Sequence, residues 1–119
     1  MPVIVIGRSI LKQGFKVFIS VQGSRVAMGN IPQSYTQSYI DYVAQFVLSG
    51  ADAIEVWSEA NLDRNWAMEL GVEGYAELLI QTTQTIRELN PQTLIITGAP
   101  APTGAESAFE GQVINDDNF

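Results

Sequence analysis

The sequence predicts an α/β fold built on a parallel sheet, and three observations carry the prediction. Short runs rich in β-branched residues alternate with longer stretches whose apolar residues recur at helical spacing, and turn residues separate each from the next. A helix between consecutive strands returns the chain to the same end of the sheet, so the strands run parallel through right-handed crossovers. The strand-like runs are residues 15–21, 53–57 and 93–97. So few parallel strands leave long apolar edges, which parallel sheets normally cover and extend. The chain therefore reads as a single domain, 1–119, forming a βαβαβ segment of a larger sheet or barrel. The strands are expected side by side in chain order, with the helices on one side.

The elements follow in order. Near the start, Val3, Ile6, Ile10 and Leu11 share one helical face and Gly14 suits a helix C-cap, so a helix is expected through Lys12. The run Val3-Ile4-Val5-Ile6 also has strand propensity, and it is far too short to span a bilayer. Residues 15–21 are nearly continuous in β-formers between Gly14 and Gly23, which predicts a strand buried on both faces. Val17, Ile19 and Val21 share one face; Lys16, Phe18, Ser20 and Gln22 share the more polar one. Residues 22–31 lack a period and read as a loop.

Pro32 suits a first helical turn, and Tyr35, Tyr39, Ile40, Val43, Phe46 and Val47 then form a helical stripe that Ser49-Gly50 ends. Aromatics at this spacing read as core rather than as a carbohydrate platform. Residues 61–71 form a loop. A second amphipathic helix is expected over 72–89, with Val72, Tyr75, Leu78, Leu79, Ile86 and Leu89 inward, and Asn90-Pro91 stops it. Beyond the third strand, residues 98–104 are a Gly- and Pro-rich turn. Residues 105–119 read as a long polar loop in which Asn115-Asp116-Asp117-Asn118 has capping character.

Composition narrows the function classes. In 119 residues, 13 acids stand against 6 scattered bases, a net charge of -7, so a phosphate backbone would be repelled and nucleic acid is not an expected partner. A hydrophobic content of 46% argues against disorder. Neither Cys nor His occurs, which removes thiolate chemistry, the commonest zinc ligands and the commonest general base. No metal, cofactor or membrane partner is expected. Acid-base chemistry falls to carboxylates, Lys or Tyr.

The middle strand is the chemically dense stretch. Alternate side chains of a strand share a face, so Glu55, Trp57 and Glu59 point one way, while Ile54, Val56 and Ser58 point the other. Parallel α/β folds present ligands at the carboxyl ends of strands, so Glu59, Trp57, Ser58 and Asn61 are expected to cluster there, with Gln22 and Thr97 nearby. On the extended geometry Glu55 lies roughly 13 Å from Glu59, at about 3.3 Å per residue. It is expected to pair with Lys16 in a structural role.

Ile54-Glu55-Val56-Trp57-Ser58-Glu59-Ala60-Asn61-Leu62 resembles the strand-four motif I-E-x-W-N-E-P-N of the retaining (β/α)8 glycoside hydrolases of clan A, a group that includes cellulases and β-xylosidases. Trp66, Tyr75-Ala76-Glu77-Leu78-Leu79, Asn90-Pro91 and the turn from Gly98 to Gly104 resemble the same enzymes, and residues 14–21 resemble their third strand. The resemblance covers most of the chain but only about strands three to five of the barrel, and so implies an incomplete TIM barrel.

What the resemblance implies is O-glycosyl hydrolysis with Glu59 as general acid/base and with Trp57, Ser58, Asn61, Trp66 and Gln22 as substrate-binding residues on an oligo- or polysaccharide. A retaining mechanism needs one carboxylic acid to protonate the leaving oxygen and a second carboxylate, about 5 Å away, to attack the anomeric carbon. The family carries that nucleophile on its seventh strand, which this chain does not contain. Two residues depart from the motif: Ser58 stands where the family has Asn, and Ala60 where it has Pro. The alternative is a non-catalytic carbohydrate-binding or assembly module on the same fold. In either reading, the bare sheet is expected to be covered by a second copy or by the rest of a barrel.

Overall fold

A computed structural model of the chain describes residues 14–24 and 33–119. Within them the chain forms β1 (Phe18–Val21), α1 (Gln33–Leu48), β2 (Ala53–Val56), α2 (Gly71–Leu89) and β3 (Leu94–Thr97). The sheet runs β1-β2-β3 with both pairings parallel, which is the expected α/β arrangement in the expected order. The helix expected through Lys12 and most of the loop over 22–31 lie outside the described residues.

The strands are shorter than the β-rich runs because side chains and turns take over at their ends. Before β1, the Val17 amide donates to the Asp52 carboxylate at 2.8 Å, while the Val17 carbonyl accepts from the Asp52 and Ala53 amides. The Asp52 carbonyl accepts from the Leu94 amide, so one residue ties all three strands at their amino ends. Lys16 approaches Asp52 at 3.9 Å rather than pairing with Glu55 as expected.

Tyr39, Ile40, Val43, Phe46 and Val47 of α1 are buried, as their stripe predicts. The helix ends in a Schellman turn: the Ala51 amide donates to the Phe46 carbonyl and the Gly50 amide to the Val47 carbonyl, with Gly50 at φ 96°. In α2 the inward residues are Tyr75, Leu78, Thr82 and Ile86. Leu89, expected inward, is exposed, because it lies on the last turn before Asn90, which Pro91 forces into an extended conformation. Arg87 closes that end by donating to the Thr93 carbonyl at 2.6 Å.

The core lies between α1, α2 and one face of the sheet, where Val21, Ile54 and Val56 meet Tyr39, Val43, Leu78 and Ile86. Strand register places Phe18, Ala53 and Leu94 in one row and Ser20, Glu55 and Ile96 in the next, both on the opposite face. That face is uncovered: Phe18 is 57% and Leu94 64% exposed. The first strand is therefore not buried on both faces, since both helices pack on the same side. A strand order without reversal, joined by right-handed crossovers, puts successive helices on one side in just this way.

Residues 105–119 form turns rather than a helix or strand, yet they are tied to the rest of the fold. Val113 bridges Leu62, the Ile114 amide donates to the Asn61 carbonyl, and Phe119 packs on Tyr75. Asn115 and Asp116 cap other backbone amides, those of Glu106 and Thr103.

Candidate functional site

The site stands at the carboxyl end of β2, and the backbone there decides its geometry. Trp57 has φ 64° and Glu59 φ 50°, both in the left-handed region that bulky side chains seldom enter. The strand therefore does not continue to Glu59, and the expected alternation breaks at Trp57. The indole swings to the helix side and is fully buried, its ring 5.3 Å from Tyr39 and 5.1 Å from Trp66. Glu55 stays on the open face without it. The separation of Glu55 and Glu59 is no longer that of an extended strand.

Neighbouring loops hold this turn from both sides. A Cβ at Gly23, after β1, would lie 2.5 Å from the Trp57 ring and from the Tyr35 hydroxyl, and one at Gly98, after β3, would collide with the Trp57 carbonyl. Only glycine permits such close approach. The Trp57 indole N-H donates to the Asn65 carbonyl, and the Gln22 amide donates to the Ser58 carbonyl at 3.3 Å. The Tyr75 hydroxyl, buried under the turn, donates to the Val56 carbonyl at 2.6 Å and accepts from the Gly98 amide at 2.7 Å. Desolvation raises the pKa of both Tyr39 and Tyr75 above that of an ordinary phenol.

Glu59 is held by backbone and side chain alike. Its amide donates to the Ala99 carbonyl at 2.9 Å. Its carboxylate, 41% exposed, accepts from the Asn65 amide at 3.3 Å and lies 3.7 Å from the Arg64 guanidinium. Glu55 acts one step behind: it accepts from the Ser20 hydroxyl at 2.6 Å and from the Ala99 amide at 3.2 Å. A single residue thus joins the two acids: the Ala99 N-H donates to the Glu55 side chain and the Ala99 carbonyl accepts from the Glu59 amide.

The other expected site residues divide by exposure. Gln22 and Ser58 remain at the site's edge. Trp66 is fully buried, donates to the Gly71 carbonyl and stacks edge-on against Tyr75 at 5.9 Å, so it forms the floor rather than a ligand platform. Asn61 is also fully buried; its amide N-H groups donate to the carbonyls of Ala101 and Ile114, and its side-chain oxygen accepts from the Ala101 amide. No polar edge of Asn61 is left for a substrate. Thr97 sits exposed at the end of β3.

Beside the Arg64 wall lies an open groove of about 530 Å³ between residues 62–64 and the loop that holds Pro102, Phe109 and Gln112. Among the described residues no group of three or more acidic, Cys or His side chains gathers as a metal site, and no helix is long and apolar enough to cross a membrane.

The residues that the sequence reading missed are Tyr75 as a bridge, Asn65 and Arg64 as partners of Glu59, and Glu55 as a support for Ala99. A signal existed for Tyr75 alone, since a tyrosine on an inward stripe must find a partner for its hydroxyl. A scan of protein-family models finds no matching family, and searches of curated proteins and of solved structures find no similar chain.

Proposed function

We propose that this chain is part of a retaining glycoside hydrolase of (β/α)8 architecture, with Glu59 as its general acid/base and the nucleophilic carboxylate contributed from outside these residues. The observation that carries the reading is Glu59 itself: a partly exposed carboxylate at the carboxyl end of a parallel strand, on a left-handed turn, positioned by Asn65, Arg64 and the Ala99 carbonyl. Parallel α/β enzymes place reacting groups at such ends, and backbone strain collects at functional sites. The bare apolar face suits the interior of a barrel, with both helices outside.

In the reaction, the acid at Glu59 protonates the departing glycosidic oxygen while the second carboxylate bonds to the anomeric carbon. Glu59, now a carboxylate, then takes a proton from the water that releases the sugar. Asn65 and Arg64 both approach its Oε2 oxygen and orient the carboxyl group. The residues expected to bind sugar reduce to Gln22 and Ser58 at the rim.

The non-catalytic alternative draws on a specific observation as well. Arg64 lies within ion-pair distance of Glu59, and Ser58 is one amide group shorter than the family's Asn, so the same scaffold suits carbohydrate binding without turnover. Leaving-group dependence separates the two readings. In the full-length protein, Glu59→Gln lowers hydrolysis of alkyl glycosides by about 10²- to 10⁴-fold and of activated aryl glycosides far less, because only the former need protonation. Equal losses on both substrates would remove Glu59 from the acid role.

A further inference from the structure

We propose that Asn65 is a positioning residue for the candidate acid, its side-chain amide fixing the Glu59 carboxyl so that Oε1 alone carries the proton given to the leaving oxygen. The proton's destination rests on the glycoside reading; the clamp itself does not depend on catalysis. Asn65 is anchored from its backbone outward. Its amide donates to the Leu62 carbonyl at 3.0 Å, its carbonyl accepts from the Trp57 indole N-H at 3.0 Å, and the next residue, Trp66, is fully buried. The side chain therefore leaves from a fixed point on the floor of the site. From there one NH2 group donates twice to the same residue, to the Glu59 carbonyl at 3.4 Å and to Glu59 Oε2 at 3.3 Å. Backbone and carboxyl of Glu59 are thus held together by a single amide. The other contacts do less: the Ala99 carbonyl holds only the Glu59 amide, and Arg64, its side chain 74% exposed, reaches Oε2 only at 3.7 Å. An ion pair that open contributes little.

The two oxygens of the carboxyl are consequently unequal. Oε2 faces the Asn65 NH2 and the Arg64 guanidinium, both of which donate and neither of which can accept. A proton on Oε2 would point donor at donor. No hydrogen bond or ion pair reaches Oε1 among the described residues. In the acid form the proton therefore sits on Oε1, where the oxygen of a bound ligand can take it. In the base form Oε2 stays tied while Oε1 receives a proton from water. The left-handed backbone at Glu59, φ 50°, fixes where the side chain starts, and Asn65 fixes where it ends. Two substitutions separate this role from simple shape. Asn65→Ala removes the clamp. Asn65→Asp keeps the shape but puts an acceptor where the NH2 was, so two adjacent carboxyl groups share the acid proton on the Oε2 side, away from the leaving oxygen. Both leave the backbone bonds to Leu62 and Trp57 in place.

The test has a kinetic and a structural arm. In the full-length protein, Asn65→Ala should lower kcat/KM for alkyl glycosides about tenfold and for activated aryl glycosides by about twofold or less, because the aryl group departs without a proton. Asn65→Asp should lose at least as much on alkyl glycosides as Asn65→Ala, whereas a residue that acts through shape alone gives the opposite order. In the isotopically labelled 119-residue chain, the three-bond Hα–Hβ couplings of Glu59 should report one staggered rotamer, and in Asn65→Ala they should average. Couplings that ignore Asn65→Ala, or an Asn65→Asp variant milder than Asn65→Ala on alkyl glycosides, would overturn the inference. Leaving-group dependence at Glu59 with none at Asn65 would discard this inference alone. Couplings that respond to Asn65→Ala in a protein whose hydrolysis ignores Glu59→Gln would discard the hydrolase reading and leave the clamp standing.

Discussion

Replacing Tyr75 by Phe removes one oxygen and leaves the ring, which makes it the sharpest perturbation of the turn beneath the site. That oxygen is buried between the Val56 carbonyl, 2.6 Å away, and the Gly98 amide, 2.7 Å away. Water has no access to replace it: Val56 is fully buried and the Tyr75 side chain nearly so. The variant therefore leaves a buried N-H without an acceptor, at about 1–3 kcal/mol, and forfeits a second bond worth about 1 kcal/mol. The sum is about 2–4 kcal/mol, a large share of the 5–15 kcal/mol typical of a domain. The ring contacts with Trp66 and Phe119 survive, so packing loss does not contribute. Urea unfolding should show the midpoint falling at constant slope, and hydrogen exchange should show the Gly98 amide losing protection. Tyr35→Phe serves as the control, because Tyr35 is half-buried and donates a 3.0 Å bond to the Ser24 carbonyl at the edge of the site; its cost should stay under about 1 kcal/mol. A loss below about 0.5 kcal/mol for Tyr75→Phe, or an unchanged Gly98 amide, would refute the bridging role.

Three further outcomes are expected. Glu55→Ala should speed exchange of the Ala99 and Glu59 amides and lower stability by about 1 kcal/mol, whereas Glu55→Gln should restore both, since the amide can accept from Ala99 and donate to Ser20; equal behaviour of the two variants would contradict the relay. Burial raises the pKa of Tyr39 and Tyr75, so these phenols stay protonated in the fold at pH values where the unfolded chain ionises. Their contribution is complete below about pH 10, the ordinary tyrosine value, and is lost as pH rises above it; a melting temperature flat to pH 12 would contradict this. The uncovered face bearing Phe18, Leu94 and Ile96 should drive association or be covered by further chain, so sedimentation of the isolated 119 residues should show self-association that Leu94→Lys reduces. A stable monomer would speak against it.

Much of the scaffold was legible because periodicity and punctuation agree. The α1 stripe, Gly50 at the helix end and Asn90-Pro91 each express a local rule, and the strand order followed from alternation with helices. The placing of the candidate residues at the end of the middle strand was legible, but their geometry was not. Carrying the alternation of the 53–57 strand on to Glu59 set Trp57 beside Glu55, whereas φ 64° at Trp57 sends the indole into the core. No local rule foretells a left-handed tryptophan; it is stabilised by Gly23 and Gly98, residues far apart in sequence that make room for it. The same non-local cause explains Asn61. Polar residues following a strand suggest a ligand, but this amide is consumed by Ala101 and Ile114, whose approach depends on how the polar tail folds back. Lys16 matched Glu55 by face, yet Asp52 is nearer and Ser20 satisfies Glu55 directly.

The most direct test of the acid/base assignment is the product formed when azide is added to the Glu59→Ala variant of the full-length protein with an activated aryl glycoside. The activated leaving group departs without a proton, the nucleophilic carboxylate forms the glycosyl ester, and azide, which needs no general base, displaces that carboxylate. The account predicts an azide-dependent rise in rate and a glycosyl azide with the same anomeric configuration as the substrate, seen by NMR. An adduct of opposite configuration, or no response to azide in a folded variant, would contradict it.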